Sequence, residues 1–84
     1  MKLVIVERTL QTPVSLAELV QSGAAGRPCL DAHHVRYIRS LVSLDGLRVL
    51  CEYEAPDAES VRQANKKLGL PFDRVWAAQT REPA

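Results

Sequence analysis

Between Val35 and Gly69 the chain reads VRYIRSLVSLDGLRVLCEYEAPDAESVRQANKKLG, and no other stretch limits the possible folds so narrowly. Asp45-Gly46 is a hairpin turn signal, because Gly accepts the positive φ angles that tight turns need. After it, Leu47, Val49, Cys51 and Tyr53 alternate with Arg48, Leu50, Glu52 and Glu54. That period of two predicts a strand over 47–54 with the first set toward the core. Before it, 35–43 also reads as a strand, with Val35, Tyr37, Arg39 and Leu41 pointing one way and Ile38 and Val42 the other. Pro56-Asp57 then opens a helix over 57–68, capped by Asp57, with Ala58, Val61, Ala64 and Leu68 as its apolar stripe. Glu59, Arg62, Lys66 and Lys67 are left to solvent, and Gly69 closes the helix in the left-handed conformation.

The flanking segments complete the pattern. Residues 2–8 are rich in Val and Ile and too short for a helix, which predicts a central strand. Thr12-Pro13 breaks the chain, and Ser15 to Glu18 has the spacing of a capping box, with Val14 and Leu19 placed as a hydrophobic staple. This predicts a helix over 15–25 with Leu16, Leu19 and Val20 on one face. Gly23 and Gly26 weaken it, each costing about 1 kcal/mol relative to Ala. Arg27-Pro28 blocks simple continuation, or else opens a short second helical piece carrying Cys29, Leu30 and Ala32. Residues 73–79 supply a last strand, and 80–84 a polar tail.

Strand, helix, strand, strand, helix, strand is the order of a split βαβ unit. It places four antiparallel strands in the order 4-1-3-2, with both helices on one face of the sheet. The expected class is therefore α+β, a ferredoxin-like sandwich in a single domain over 1–84. Its other sheet face is left bare, mixing Ile5, Leu50 and Trp76 with Glu7 and Glu52. Packing against a second copy is one way to cover such a surface, so a homodimer is expected. A chain of 84 residues buries only a little over about 60% of its unfolded surface, and a partner subunit would add to that.

A formal net charge of +1 with interleaved signs carries no electrostatic footprint for nucleic acid or an anionic membrane. The start, MKLVIVERTL, is an apolar run interrupted by Glu7 and Arg8, neither a signal peptide nor a membrane span. Cys29 and Cys51 form no disulfide framework and no C-x-x-C motif, which suits two free thiols in a reducing cytoplasm.

From Leu3 to Gln79 the sequence resembles a family of small bacterial ferredoxin-like proteins of unknown function, some members of which are described as nickel-binding. The resemblance rests on Val6-Glu7-Arg8-Thr9, Ser40-Leu41-Val42, Cys51-Glu-Tyr-Glu-Ala-Pro56, Val61-Arg62, Gly69-Leu-Pro71 and Asp73-Arg74-Val75. It implies the same fold and raises nickel, or another divalent transition metal, as a ligand. Metal-competent relatives tend to carry His on the second strand and in the second helix, where this chain has Arg39 and Asn65. A guanidinium is no metal ligand at neutral pH, so a nickel site would fall to His33 and His34 instead.

Each candidate has a plainer reading. Adjacent His33 and His34 on an extended segment point to opposite sides, so a metal there needs a second subunit, and a solvated pair is the simpler case. Cys51 belongs to the core set as a small hydrophobe, and Cys29, near Arg27, is more simply a bystander thiol. Glu7, Arg39, Glu52 and Trp76 form the candidate ligand-binding group. Two close carboxylates raise one pKa for acid–base work or hold a cation, whereas Arg pairing makes them an interface register. Three functions are compatible with these residues: a homodimer holding a metal ion or small molecule in a cavity on the bare face; a dimeric α/β-barrel-type enzyme with Glu7 or Glu52 as general base; or a regulatory or structural module without ligand. The fold alone does not choose among them.

Overall fold

The computed structural model describes residues 1–83, and of positions 16 and 19–25 the backbone course only. The elements are β1 (Lys2–Thr9), α1 (Leu16–Ala32), β2 (Arg36–Val42), β3 (Arg48–Ala55), α2 (Ala58–Lys67) and β4 (Arg74–Ala78). They form one antiparallel sheet in the order β2-β3-β1-β4, the ferredoxin-like arrangement.

The period of two decides where the core sits. Val4 and Val6 of β1, Val49, Cys51, Tyr53 and Ala55 of β3, and Val75 of β4 all face the helices. There they meet Leu30 of α1 and Val61 and Ala64 of α2 in one cluster. Complete burial of a Val side chain such as Val4, Val6 or Val61 contributes about 1.5–3 kcal/mol, so three strands and two helices are held by one layer.

Four expectations require correction. The first helix does not stop near residue 25 but continues through Gly26 and Pro28 to Ala32. Tertiary contact overrides local propensity here. Gly26 is buried where a Cβ would stand 3.1 Å from a methyl carbon of Leu68, so its lack of a side chain lets α1 run close to the end of α2. The last turn then delivers Leu30 into the core. The expected face of Leu16, Leu19 and Val20, with the Val14–Leu19 staple, lies outside the described side chains. The capping box is present, with Ser15 Oγ accepting from the Glu18 amide at 3.2 Å and Glu18 accepting from the Ser15 amide at 3.2 Å.

The second correction concerns β2. Its register shifts between Tyr37 and Arg39, so Ile38 is an extra residue, a bulge that reverses the phase of the strand beyond it. Tyr37 opposes Tyr53 and Ser40 opposes Cys51 on the helix side, whereas Arg39 opposes Glu52 and Leu41 opposes Leu50 on the bare side. Tyr37 therefore does not share a face with Arg39 and Leu41. The third is that His33 and His34 are not on an extended segment but form the end of α1. His33 is the C-cap and His34 has φ 59°. Val35 N–H donates to Leu30 O at 2.8 Å and His34 N–H to Asp31 O at 3.0 Å, the paired bonds of a Schellman ending. The same motif ends α2, with Leu70 N–H on Asn65 O and Gly69 N–H on Lys66 O, and there the left-handed position is glycine, φ 69°.

Polar ties fix the remaining joints. Arg8 lies in the helix-facing phase of β1, and its guanidinium donates to Asn65 Oδ1 and, at 2.7 Å, to Pro71 O. Asn65 is wholly buried, its amide also donating to Val61 O at 2.8 Å. Arg62, expected in solvent, is half-buried and donates to Val75 O at 2.8 Å on edge strand β4. In the hairpin, Ser43 N–H bonds Arg48 O at 2.9 Å, and the loop is pinned by Val14 N–H on Gly46 O at 2.9 Å.

Three stability measurements test these joints. A left-handed conformation costs a β-carbon-bearing residue about 1 kcal/mol, so His34→Gly should raise the unfolding free energy measured in urea by that amount and Gly69→Ala should lower it similarly. Removing Asn65 strands the donors of a half-buried guanidinium, and Asn65→Ala should cost about 1–3 kcal/mol of unfolding free energy. The Ser60 hydroxyl and amide hold the Asp57 carboxyl below its ordinary range. A depressed folded-state pKa contributes stability that is complete above the unfolded value of about 3.9 and fades as pH falls through the lowered one. Asp57→Ala should therefore lower the melting temperature at pH 7, with the deficit shrinking in acid.

Candidate functional site

Register turns the bare sheet face into ordered rows running β2-β3-β1-β4. Arg39, Glu52, Ile5 and Trp76 make the central row; Leu41, Leu50, Glu7 and Arg74 lie on one side of it, and Arg36, Glu54, Leu3 and Ala78 on the other. Arg39, Glu52 and Trp76 therefore share one row, and Glu7 sits diagonally from Glu52 in the next, about 7–8 Å apart by strand geometry. All four residues expected to bind a ligand lie on one face.

Their carboxylates are engaged. Arg39 Nε donates to Glu52 Oε2 at 2.8 Å, and Glu52 is only 14% exposed against 67% for Arg39. That bond and the charge of Glu52 hold the Arg39 guanidinium pKa above its ordinary value. Trp76 Nε1 donates to Glu7 Oε2 at 2.8 Å. Arg36 pairs with Glu54 in the outer row. Between these polar contacts stand apolar groups, with Leu41 54% and Trp76 44% exposed while Ile5 is buried beneath them. An open groove of about 710 Å³ crosses the end of the sheet next to Glu7, Leu41, Leu50 and Arg74, and Arg39, Glu52 and Trp76 do not line it. Neither carboxylate stands free, since Glu52 is bonded to Arg39 and Glu7 to Trp76, and of the two only Glu7 lines the groove.

The candidate metal ligands do not converge. His33 is half-buried with Nδ1 2.9 Å from Cys29 O, to which it donates, while His34 is exposed at the left-handed turn. Asn65 is bonded through both side-chain atoms inside the core, and Arg39 is on the bare face with Glu52. Among the described residues no three His, Cys, Asp or Glu side chains gather into a metal-binding group. Divalent nickel favours converging imidazole or thiolate donors, and the described donors of a single chain do not by themselves converge on such a site. Cys51 is buried in the core and accepts from Ser40 Oγ at 3.2 Å, and Cys29 is half-buried with its thiol 3.7 Å from Ala64 O.

Sequence reasoning missed the joint between Arg8 and Asn65 and the cavity beside it. Parity carried the signal: Lys2, Val4, Val6 and Arg8 share one face of β1, so a guanidinium had to enter the core layer. No helix among the described residues is long and apolar enough to cross a membrane.

Comparison with known proteins agrees with this architecture. No curated protein matches the chain. Among solved structures, the crystal structure of SCO4226 from Streptomyces coelicolor A3(2) superposes with a TM-score of 0.83 at 15% identity, covering 95% of this chain and 99% of that one. At that identity the likeness establishes the fold. The model of the family described as "Nickel responsive protein SCO4226-like" matches residues 5–77. The chain thus belongs to the SCO4226-like nickel responsive protein family.

Proposed function

We propose that this protein works as a homodimer whose bare sheet faces meet, holding a small polar molecule among Glu7, Arg39, Glu52 and Trp76. The observation that carries the reading is the central row, in which an exposed indole and a half-paired guanidinium flank buried Ile5 on a surface that no helix covers. Leu41 and Leu50 extend its apolar part. Four of its charges already have partners in Arg39–Glu52 and Arg36–Glu54, which lowers the cost of covering them. In a symmetric dimer the same patch serves both copies, and the polar rows set the register.

The family description speaks of nickel, and that reading transfers poorly to this chain. Arg39 puts a cation where a metal-competent relative tends to have imidazole, and nickel would be repelled by a guanidinium, which stays charged at neutral pH. A neutral or anionic molecule with hydrogen-bond acceptors suits the same row. The guanidinium supplies donors, the indole face supplies a stacking surface, and Glu7 fixes the indole by its Nε1 bond.

Trp76 is the sole tryptophan, so its emission reports on this face alone. Sedimentation equilibrium should give twice the mass of one chain, and dilution into single chains should move the emission to longer wavelength. Leu41→Glu puts an unpaired charge on the proposed interface and should leave single chains with unchanged far-ultraviolet circular dichroism. A single-chain mass for the wild type near millimolar concentration would end the proposal.

A further inference from the structure

On the opposite side of the sheet, between β-strands and helices, lies a cavity of about 170 Å³. Most of its wall is apolar, from Val14, Leu30, Val49 and Leu68 among others, and one part is polar, with Arg8, Tyr53 and Ser40. An apolar cavity of about 150 Å³ accommodates a molecule the size of benzene, so this one has room for one ring or about six carbons. It is distinct from the bare-face group, since none of Glu7, Arg39, Glu52 and Trp76 lines it.

Arg8 gives the cavity its chemistry. Its guanidinium donates to Pro71 O and Asn65 Oδ1 and also interacts with the Tyr53 hydroxyl, all of them neutral, and none of the ion pairs among the described residues includes it. A guanidinium carries five N–H donors, so those two bonds leave donors over. A half-buried cation balanced only by neutral acceptors attracts an anion more strongly than one in water, because less solvent screens it. Beside it the Tyr53 phenol, its pKa pushed up to about 12 chiefly by burial, remains an uncharged hydroxyl and does not repel that anion. Tyr37 is bonded to Ser40 at 2.6 Å and Ser40 to Cys51 at 3.2 Å, so this part of the wall is already satisfied and places no competing demand on a ligand. Arg8 and Val49 line both the cavity and the open groove across the sheet end.

We infer that this cavity is a binding site for a small amphipathic monocarboxylate, its apolar body between Leu30, Val49 and Leu68 and its carboxylate on the Arg8 guanidinium. One fork of N–H donors matches one carboxylate, and the apolar walls select against polyanions, whose remaining charges would be buried unpaired.

Titration of the full chain with sodium benzoate and, separately, with benzyl alcohol, followed by amide chemical shifts, tests this. Benzoate should shift Arg8, Val49 and Leu68 saturably, with an affinity at least about tenfold above that of the uncharged alcohol, equivalent to about 1.4 kcal/mol. Arg8→Gln should remove that preference while changing benzyl alcohol binding by less than about twofold. Equal affinity for the two probes, benzoate shifts confined to residues away from the cavity, or no saturable shift up to about 20 mM overturns the inference. The wild-type comparison decides it even where Arg8→Gln fails to fold.

Discussion

The placement of β1 between β3 and β4 is the constraint on which everything else in this molecule depends. Val4 and Val6 have no solvent exposure, and each is paired across both neighbouring strands. A slip of one residue would send Ile5 and Glu7 inward and Val4 and Val6 outward, exchanging core and surface along the whole strand. With register fixed so strongly, the side chains on the two faces become two independent chemistries on one scaffold. Helix-side parity brings Arg8 to the cavity, and the other parity brings Glu7 beside Trp76.

Much of this was legible in the sequence, and the reason differs from element to element. β3 alternates without interruption, so its faces followed from parity, and α2 carries both a capping Asp57 and a closing Gly69. Those signals are local, each contained within a few residues. The unread parts depend on distant partners. Nothing in residues 23–28 shows that α1 persists, because its continuation rests on Leu30 reaching the core and on Gly26 meeting Leu68. Nor does the RYIRSLV segment announce its bulge, which is defined only by the pairing of Tyr37 and Arg39 to β3. His34 at a left-handed helix ending is equally silent, since glycine or asparagine is the usual mark of that position.

The candidate site divides in the same way. Glu7, Glu52, Arg39 and Trp76 share a face because strand order and parity place them there, and both were readable. Which carboxylate meets which donor was not, because it depends on the shifted β2 register and on side-chain reach. Asn65 is the instructive case. It reads as an exchanged metal ligand when only the family pattern is considered, yet in the fold it bridges Val61 and Arg8 inside the core.

Arg62 has a final consequence for how chains of this kind meet. Its guanidinium occupies the carbonyl of Val75 on β4, the outer strand on that side, and the opposite outer strand, β2, is interrupted by the bulge at Ile38. Outer strands with continuous free amides and carbonyls recruit further strands and propagate into fibrils. With one margin occupied and the other bent, lateral growth of the sheet is discouraged at both ends, and the contacts left open to another molecule are broad surfaces rather than ladders.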